Sequence, residues 1–229
     1  MRRPELQYDF DDQKDYLNTM VDKVSSVLAN AIEHTGCAGL AVSGGRSPVP
    51  LFERLSLEAL PWEKIHITLV DERFVPPDHP DSNERLVRTH LLKNRARQAR
   101  FTGLVSHPGD LALCLQDANR QTHAISLAVL GMGDDGHTAS LFPEAPQLEQ
   151  ALDTQASHRY VHVSPAHAPH ERISMTLAAL LASGHLLLAI SGPHKRRIAE
   201  QAALQATPRL PVSYLISQSG VPLDVYWHP

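Results

Sequence analysis

One glycine-rich loop of this chain carries a histidine in a setting suited to proton transfer. The loop covers residues 130–143 and reads LGMGDDGHTASLFP, with three glycines within six residues before His137. The apolar run 125–130 that precedes it is typical of a buried parallel strand. In an open α/β sheet, ligands bind beyond the carboxyl ends of the strands. A side chain that titrates near neutral pH at such a place is a candidate general base.

Two carboxylates stand directly before this histidine in the sequence, Asp134 and Asp135. A carboxylate beside a catalytic imidazole fixes its tautomer and stabilises the imidazolium that forms during the reaction. The alternative is an ordinary strand connection that carries one of the chain's 14 histidines on the surface. The acidic pair favours the catalytic interpretation, with Asp135 orienting His137.

A second glycine-containing loop lies between a predicted strand, 37–42, and a helix that starts near Pro48. Its residues are Ser43, Gly44, Gly45, Arg46 and Ser47. The glycines expose main-chain N–H groups and the helix start adds a positive dipole end, so the loop is suited to an anion. It matches neither a dinucleotide fingerprint nor a Walker loop, and no nucleotide is indicated. Two glycines at a strand end are also common without a ligand, and the direction of Arg46 stays open.

Helical and strand patterns alternate along the chain. Helices are predicted over 16–34, from 81 or 82 to 92, and over 110–122, 171–183 and 195–205. Strands are predicted over 37–42, 65–70, 125–130, 159–163, 185–190 and 223–227. This alternation predicts an α/β fold of the Rossmann-like, doubly wound kind, with a mostly parallel twisted sheet flanked by helices.

The composition limits the class of protein. The 229 residues fit one α/β domain, 1–229, and 42% of them are apolar. A formal charge of −4 and no aromatic residues within the basic cluster 93–100 argue against nucleic acid as a partner. No apolar run is long enough to span a membrane, and residues 1–12 contain no apolar signal region. Cys37 and Cys114 both lie in apolar surroundings, so we expect buried thiols and a cytoplasmic location.

The loop 130–143 resembles the signature of the 6-phosphogluconolactonases, which share a superfamily with the glucosamine-6-phosphate deaminases. Further motifs follow in that family's order over nearly the whole chain. They are SGGRSP at 43–48, VDERFVP at 70–76, DSN at 81–83, LVR at 86–88, RISMT at 172–176 and SGPHK at 191–195. Several motifs in one order make this resemblance far more specific than a single glycine loop.

The resemblance implies roles for residues that spacing alone leaves open. It implies that Lys195 binds a sugar phosphate, although a lysine in the basic trio 195–197 is otherwise a surface residue. In the related deaminases the aspartate at the position of Asp71 is a proton-transfer base. Arg73 suits an oxyanion or the docking of substrate oxygens, against the alternative of a salt bridge within its own loop. Arg172, at the start of the helix predicted over 171–183, is either a phosphate ligand or a helix-surface charge.

The implied activity is hydrolysis of 6-phospho-D-glucono-1,5-lactone, a sugar-phosphate lactone, with no metal and no organic cofactor. The histidines at 158, 162, 167 and 170 match no zinc signature and no cysteine completes a set, so no metal site is predicted. An amino-sugar phosphate deaminase is the first rival, but the acidic residue that such enzymes carry near 140–143 is missing. A sugar-phosphate-sensing regulator is the second, and the 35 residues before the first strand are too few for its DNA-binding module. A monomer or small homo-oligomer is expected.

Overall fold

A parallel sheet of seven strands forms the centre of the molecule in the computed structural model, which describes residues 8–229. The expected absence of a secretory signal rests partly on residues 1–7, which lie outside the described residues. The strands are β1 (Tyr8–Asp9), β2 (Ala38–Val42), β3 (Ile65–Leu69), β5 (Arg100–Phe101), β6 (Leu127–Leu130), β9 (Leu186–Ser191) and β10 (Leu223–His228). Every pairing among them is parallel. The predicted α/β class is confirmed.

The order of strands in this sheet reverses at its centre. It runs β1-β10-β9-β6-β2-β3-β5, so the chain builds outward from β2 to one edge and then returns to place β6 on the other side of β2. A crevice opens beyond the carboxyl ends of two strands at such a reversal, and ligands bind there in doubly wound folds. The loops 43–47 and 131–137 follow β2 and β6, so both lie at this point.

A second, smaller sheet was not predicted from the sequence. It contains β4 (Asp71–Arg73), β8 (Arg172–Met175) and β7 (Tyr160–Val163), in the order β4-β8-β7, and its pairings are antiparallel. It is joined to the central sheet where the N–H of Met175 donates to the carbonyl oxygen of Val70 at 2.7 Å. The Tyr160 hydroxyl adds a 2.9 Å hydrogen bond to the Leu69 carbonyl oxygen.

Eight helices connect these strands within the described residues. They are α1 (Gln13–Thr35), α2 (Val49–Leu55), α3 (Asn83–His90), α4 (Leu111–Asn119), α5 (Leu148–Ala151), α6 (Leu177–Leu181), α7 (Gly192–Ala202) and α8 (Ser213–Ile216). Local signals explain their ends, since Ser82 and Asp110 accept main-chain N–H groups as N-caps and Gly36 ends α1 at φ 82°. The helix starts predicted at 81 or 82 and at 110 are confirmed.

The helix predicted over 171–183 is wrong in its first half. Residues 172–175 are β8, and only Leu177–Leu181 is helical, after Thr176 as N-cap. All four residues of β8 are buried, and its main chain pairs with β4 on one side and β7 on the other. A short apolar run does not distinguish a buried strand from a helix, and here the pairing partners decide. Arg172 is therefore a strand residue and not the start of a helix.

One further expectation needs correction. Cys37 is exposed, because it lies between the end of α1 and the first buried residue of β2; Cys114 is buried as expected. After His137, Thr138 and Leu141 form a β-bridge, and the next helix starts at Leu148. Within residues 8–229, no helix has the length and apolar character needed to cross a membrane.

The strands that precede the two site loops, β2 and β6, lie in the hydrophobic core. Every residue of β2 and of β6 is buried, as expected for central parallel strands covered on both faces. The buried side of α1, which includes Val24 and Leu28, packs in the same cluster as Leu40 of β2. The two strands that precede the loop 43–47 and the His137 loop are thus the most enclosed elements of the sheet.

Candidate active site

A cavity of about 1180 Å³ opens beyond the carboxyl ends of the central strands. The predicted site residues that line it are Ser43, Gly44, Gly45, Arg46, Ser47, Asp71, Arg73, His137, Arg172 and Lys195. Asp135 does not line the cavity but contacts His137 from behind. Residues from five different stretches of the sequence therefore meet at the carboxyl ends of the central strands.

His137 and Asp135 form a hydrogen-bonded pair. The Nδ1 atom of His137 lies 2.5 Å from Oδ1 of Asp135, and the same oxygen accepts the main-chain N–H of His137 at 3.1 Å. Burial acts to raise the pKa of Asp135, but the hydrogen bond and charge of His137 outweigh it and hold that pKa below its ordinary value. An ionised Asp135 makes Nδ1 the protonated nitrogen, which leaves Nε2 as the free base.

The conformation of this loop depends on two of its glycines. Gly136 has φ 77°, in the left-handed region, and its N–H donates to the Gly133 carbonyl oxygen at 3.1 Å. A Cβ at position 133 would collide with the His137 ring and with Asp135. Beyond the loop, the ring of Phe142 lies against His137 with centroids 4.3 Å apart. The imidazole is thus confined between a glycine and an aromatic ring.

Ser140, which was not predicted as a site residue, links Asp71 to the His137 loop. The hydroxyl of Ser140 is fully buried and donates a 2.6 Å hydrogen bond to Oδ2 of Asp71. The main-chain oxygen of Asp71 accepts from Asn83 Nδ2 at 2.8 Å. Ser140, Phe142 and Asn83 all belong to motifs quoted above for the family resemblance. Their place in these motifs is the signal by which the sequence could have identified them as site residues.

Glu72 lies between two site residues but faces the protein interior. Its carboxylate accepts the main-chain N–H groups of Arg73, Asn83 and Glu84 and the hydroxyl of Ser82. Burial raises the pKa of Glu72 to about 7 against these four donors, which act to lower it. Two of the donors are the first N–H groups of α3, so Glu72 fastens β4 to the start of that helix.

Arg73 and Arg172 lie directly opposite each other across the antiparallel pair β4–β8. Arg172 is 5% exposed, its Nη2 atom donates to the Pro169 carbonyl oxygen at 2.9 Å, and its Nε atom is buried without a partner. Burial lowers the pKa of Arg172; the charge of Asp71 acts to raise it and the charge of Arg73 acts to lower it. Both arginines line the cavity, so the strand pair presents two cationic side chains to a ligand.

The loop Ser43–Ser47 and Lys195 form other parts of the cavity wall. Gly44 packs so closely on Asn83 that a Cβ there would collide with its side chain, and Gly45 has φ 88°. Arg46 and Ser47 are exposed, and α2, which starts two residues later, has only seven residues and thus a small dipole. Lys195 lies in the first turn of α7, with Nζ 4.0 Å from the Asp134 carboxylate.

Comparison with known proteins identifies the family of this chain. Residues 11–227 match the model of the family described as glucosamine-6-phosphate isomerases/6-phosphogluconolactonase. The chain belongs to this family. Among the curated relatives, the 6-phosphogluconolactonase of Neisseria meningitidis serogroup A is 40% identical over 228 residues, which cover 96% of this chain and 97% of the relative. That of Pseudomonas aeruginosa PAO1 is 42% identical over 212 residues, 90% of this chain and 88% of the relative.

A solved structure from the glucosamine-6-phosphate isomerase/6-phosphogluconolactonase family agrees with the fold. The crystal structure of a 6-phosphogluconolactonase from Shewanella baltica OS155 superposes with a TM-score of 0.90 at 36% identity, covering 97% of each chain. The agreement extends over the second sheet as well as the central one, because almost the whole chain is covered. The resemblance inferred from the motifs is therefore confirmed.

Proposed function

We propose that this protein is a 6-phosphogluconolactonase, which hydrolyses 6-phospho-D-glucono-1,5-lactone to 6-phospho-D-gluconate in the oxidative pentose phosphate pathway. The observation that carries the proposal is the meeting, in one cavity, of the His137–Asp135 pair with three cationic side chains, Arg73, Arg172 and Lys195. The pair suits the activation of water, and the cations suit the phosphate and the developing oxyanion of a phosphorylated lactone.

In the proposed reaction, His137 Nε2 removes a proton from a water molecule as the water oxygen attacks C1 of the lactone. A tetrahedral oxyanion forms at C1, and then the bond from C1 to the ring oxygen breaks. The ring oxygen leaves as the C5 hydroxyl after taking the proton from His137. Asp135 stays ionised throughout and stabilises the imidazolium.

The remaining site residues divide into two groups in this proposal. Arg73 and main-chain N–H groups of the glycine turn stabilise the oxyanion, with Asp71 held beside them by Ser140. The 6-phosphate is bound by the loop Ser43–Ser47 and by Lys195, with Arg172 as a further ligand. No metal or organic cofactor takes part. We keep the expectation of a cytoplasmic enzyme that acts as a monomer or small homo-oligomer.

A direct assay tests the proposal. The phosphorylated lactone is generated from glucose 6-phosphate by a dehydrogenase, and its disappearance with and without this protein is compared with spontaneous hydrolysis. Glucosamine 6-phosphate is offered in parallel, and ammonia is measured. We expect accelerated lactone hydrolysis and no ammonia. Ammonia release without lactone hydrolysis would contradict the proposal in favour of a deaminase.

A further inference from the structure

Two histidines and an aspartate converge at the cavity, in the segments next to β4 and β8. His170 Nε2 lies 3.0 Å from Asp81 Oδ2, and His79 Nδ1 lies 3.8 Å from the same oxygen. One ligand atom from each of the three residues lies within 4.8 Å of the others. The two imidazole rings meet edge to face, with centroids 5.6 Å apart and an interplanar angle of 76°.

The antiparallel sheet brings these residues together. His79 and Asp81 lie in the segment between β4 and α3, whereas His170 comes just before β8, about 90 residues later. Beyond the paired residues Arg73 and Arg172, the N–H of Phe74 still donates to the Glu171 carbonyl oxygen at 2.7 Å. The two segments therefore leave the sheet side by side.

His170 holds its position in an unusual backbone conformation. Its φ is 70°, in the left-handed region that non-glycine residues rarely adopt. The imidazole is 27% exposed and hydrogen-bonded to Asp81, so the surroundings fix it although the backbone conformation is unfavourable. A ligand that bridged His170 and Asp81 would add to this fixation.

Charges around the cluster leave the Asp81 carboxylate available. Its side chain is 53% exposed, and its Oδ2 atom faces a nitrogen of each histidine. The neighbouring guanidinium of Arg73 donates to the main-chain oxygen of Asp81 at 2.5 Å. The Nδ1 atom of His79 accepts a hydrogen bond from the main-chain N–H of Asp81 at 3.1 Å, so the lone pair of Nδ1 points toward Asp81.

We propose that His79, Asp81 and His170 form a binding site for a divalent transition-metal ion such as Zn²⁺ or Co²⁺. Two imidazole nitrogens and one carboxylate oxygen are a ligand set that suits these ions, whereas Mg²⁺ and Ca²⁺ prefer oxygen ligands alone. The ion replaces the proton shared between His170 and Asp81 and displaces the Asp81 N–H from His79. Because of this displacement and the charge of Arg73, the affinity is expected to be micromolar.

The site is separate from the catalytic pair, and its role is to link the segments 76–82 and 164–171 at the cavity rim. Asp81 and His170 line the cavity, so the ion would make that part of its wall more rigid. This inference does not rest on the proposed lactonase activity. Its test measures binding without substrate.

The test titrates Co²⁺ and Zn²⁺ into the metal-stripped full-length protein. Co²⁺ binding is followed by visible absorption, Zn²⁺ binding by calorimetry, and unfolding with and without Zn²⁺ by thermal melting. We expect one site per chain, a higher melting temperature with Zn²⁺, and at least about tenfold weaker binding in His79→Gln and in His170→Asn. Asparagine tolerates the left-handed conformation at position 170, so this variant removes the imidazole without disturbing the backbone.

His167→Asn is the matched control. His167 lies on the same segment as His170, is exposed, and pairs with Glu144. It should bind the metal like the wild type. An absence of binding to the wild-type protein overturns the proposal. Binding that survives either His79→Gln or His170→Asn also overturns it, since the ion then occupies other ligands, such as the His137–Asp135 pair.

Discussion

At the scale of single residues, three contacts of His137 support the proposal that its Nε2 atom acts as the base. Asp135 binds Nδ1 at 2.5 Å, Gly133 leaves room for the ring on one side, and Phe142 covers another. The side chain is 29% exposed, and so it can reach a water in the cavity. A residue placed in this way affects turnover far more than stability.

Replacement of His137 by alanine is therefore expected to lower kcat by roughly 10²–10⁴-fold, the usual range for a lost general base. Steady-state kinetics on the phosphorylated lactone measures this loss, and thermal melting checks the fold, which should be little changed. His167→Ala, which removes an exposed imidazole that pairs with Glu144, is the control and should keep full activity. Near-normal turnover in His137→Ala would rule out its role as the base.

Lys195 gives a second prediction at this scale, because a contact with the 6-phosphate, as proposed for it, would be made only by a phosphorylated substrate. A charge-assisted hydrogen bond to phosphate is worth roughly 1.5–3 kcal/mol, so Lys195→Ala should lower kcat/KM for the phosphorylated lactone by about ten- to a hundredfold. Unphosphorylated gluconolactone should be hydrolysed as by the wild type. Kinetics on both lactones measures the difference.

Arg197→Ala, an exposed residue of the same helix, is the control for Lys195 and should affect neither lactone. Equal losses on both lactones in Lys195→Ala would place this lysine at the reacting carbonyl instead of the phosphate.

At the scale of elements, β3 and the segment before β6 bring together two histidines remote from the site. His66 and His123 stack with ring centroids 3.7 Å apart, and the Nε2 atom of His123 is buried without a partner. Burial, with the charges of His66 and Arg159, lowers the pKa of His123 to about 4. Burial and the charges of Arg100 and Arg159 also lower the pKa of His66. Both rings are therefore neutral in the folded protein at neutral pH.

This pair is expected to make folding stability fall in mild acid. In the unfolded chain these histidines take up protons near pH 6.5. Between that value and the folded pKa of about 4 for His123, the unfolded state binds more protons, so the free energy of unfolding decreases as the pH falls and levels off below 4. The loss due to His123 should be about 1–2 kcal/mol after allowance for solvent screening.

Urea unfolding at a series of pH values between 4 and 7 measures this effect. His123→Gln should flatten the dependence, whereas His34→Gln, at an exposed position near the end of α1, should leave it unchanged. A steep loss of stability that persists in His123→Gln would assign the acid sensitivity to other groups.

At the scale of the whole molecule, the strand order decides where the site lies. Because β2 and β6 are neighbours at the point of reversal, the glycine loop 43–47 and the His137 loop face one crevice although more than 80 residues separate them. The helix α7, which follows β9, adds Lys195, and the second sheet adds Arg73 and Arg172. The prediction of one domain over 1–229 stays a prediction.

Features that depend on short stretches of chain could be predicted from the sequence. Apolar runs predicted the central strands, helices were predicted to start at 81 or 82 and at 110, and the motif around His137 predicted the family and the candidate base. These signals work because a cap, a glycine turn or a buried strand is specified by residues within a few positions of each other.

Only the tertiary structure decided the features that depend on distant partners. It made residues 172–175 a strand instead of a helix, set Arg172 opposite Arg73, joined Ser140 to Asp71, and brought His170 to Asp81 across almost 90 residues. Cys37 is exposed for a similar reason, because burial depends on what packs against a residue and not on its sequence neighbours. Antiparallel pairing and burial are set by contacts between remote segments, and local composition does not encode which segments will meet.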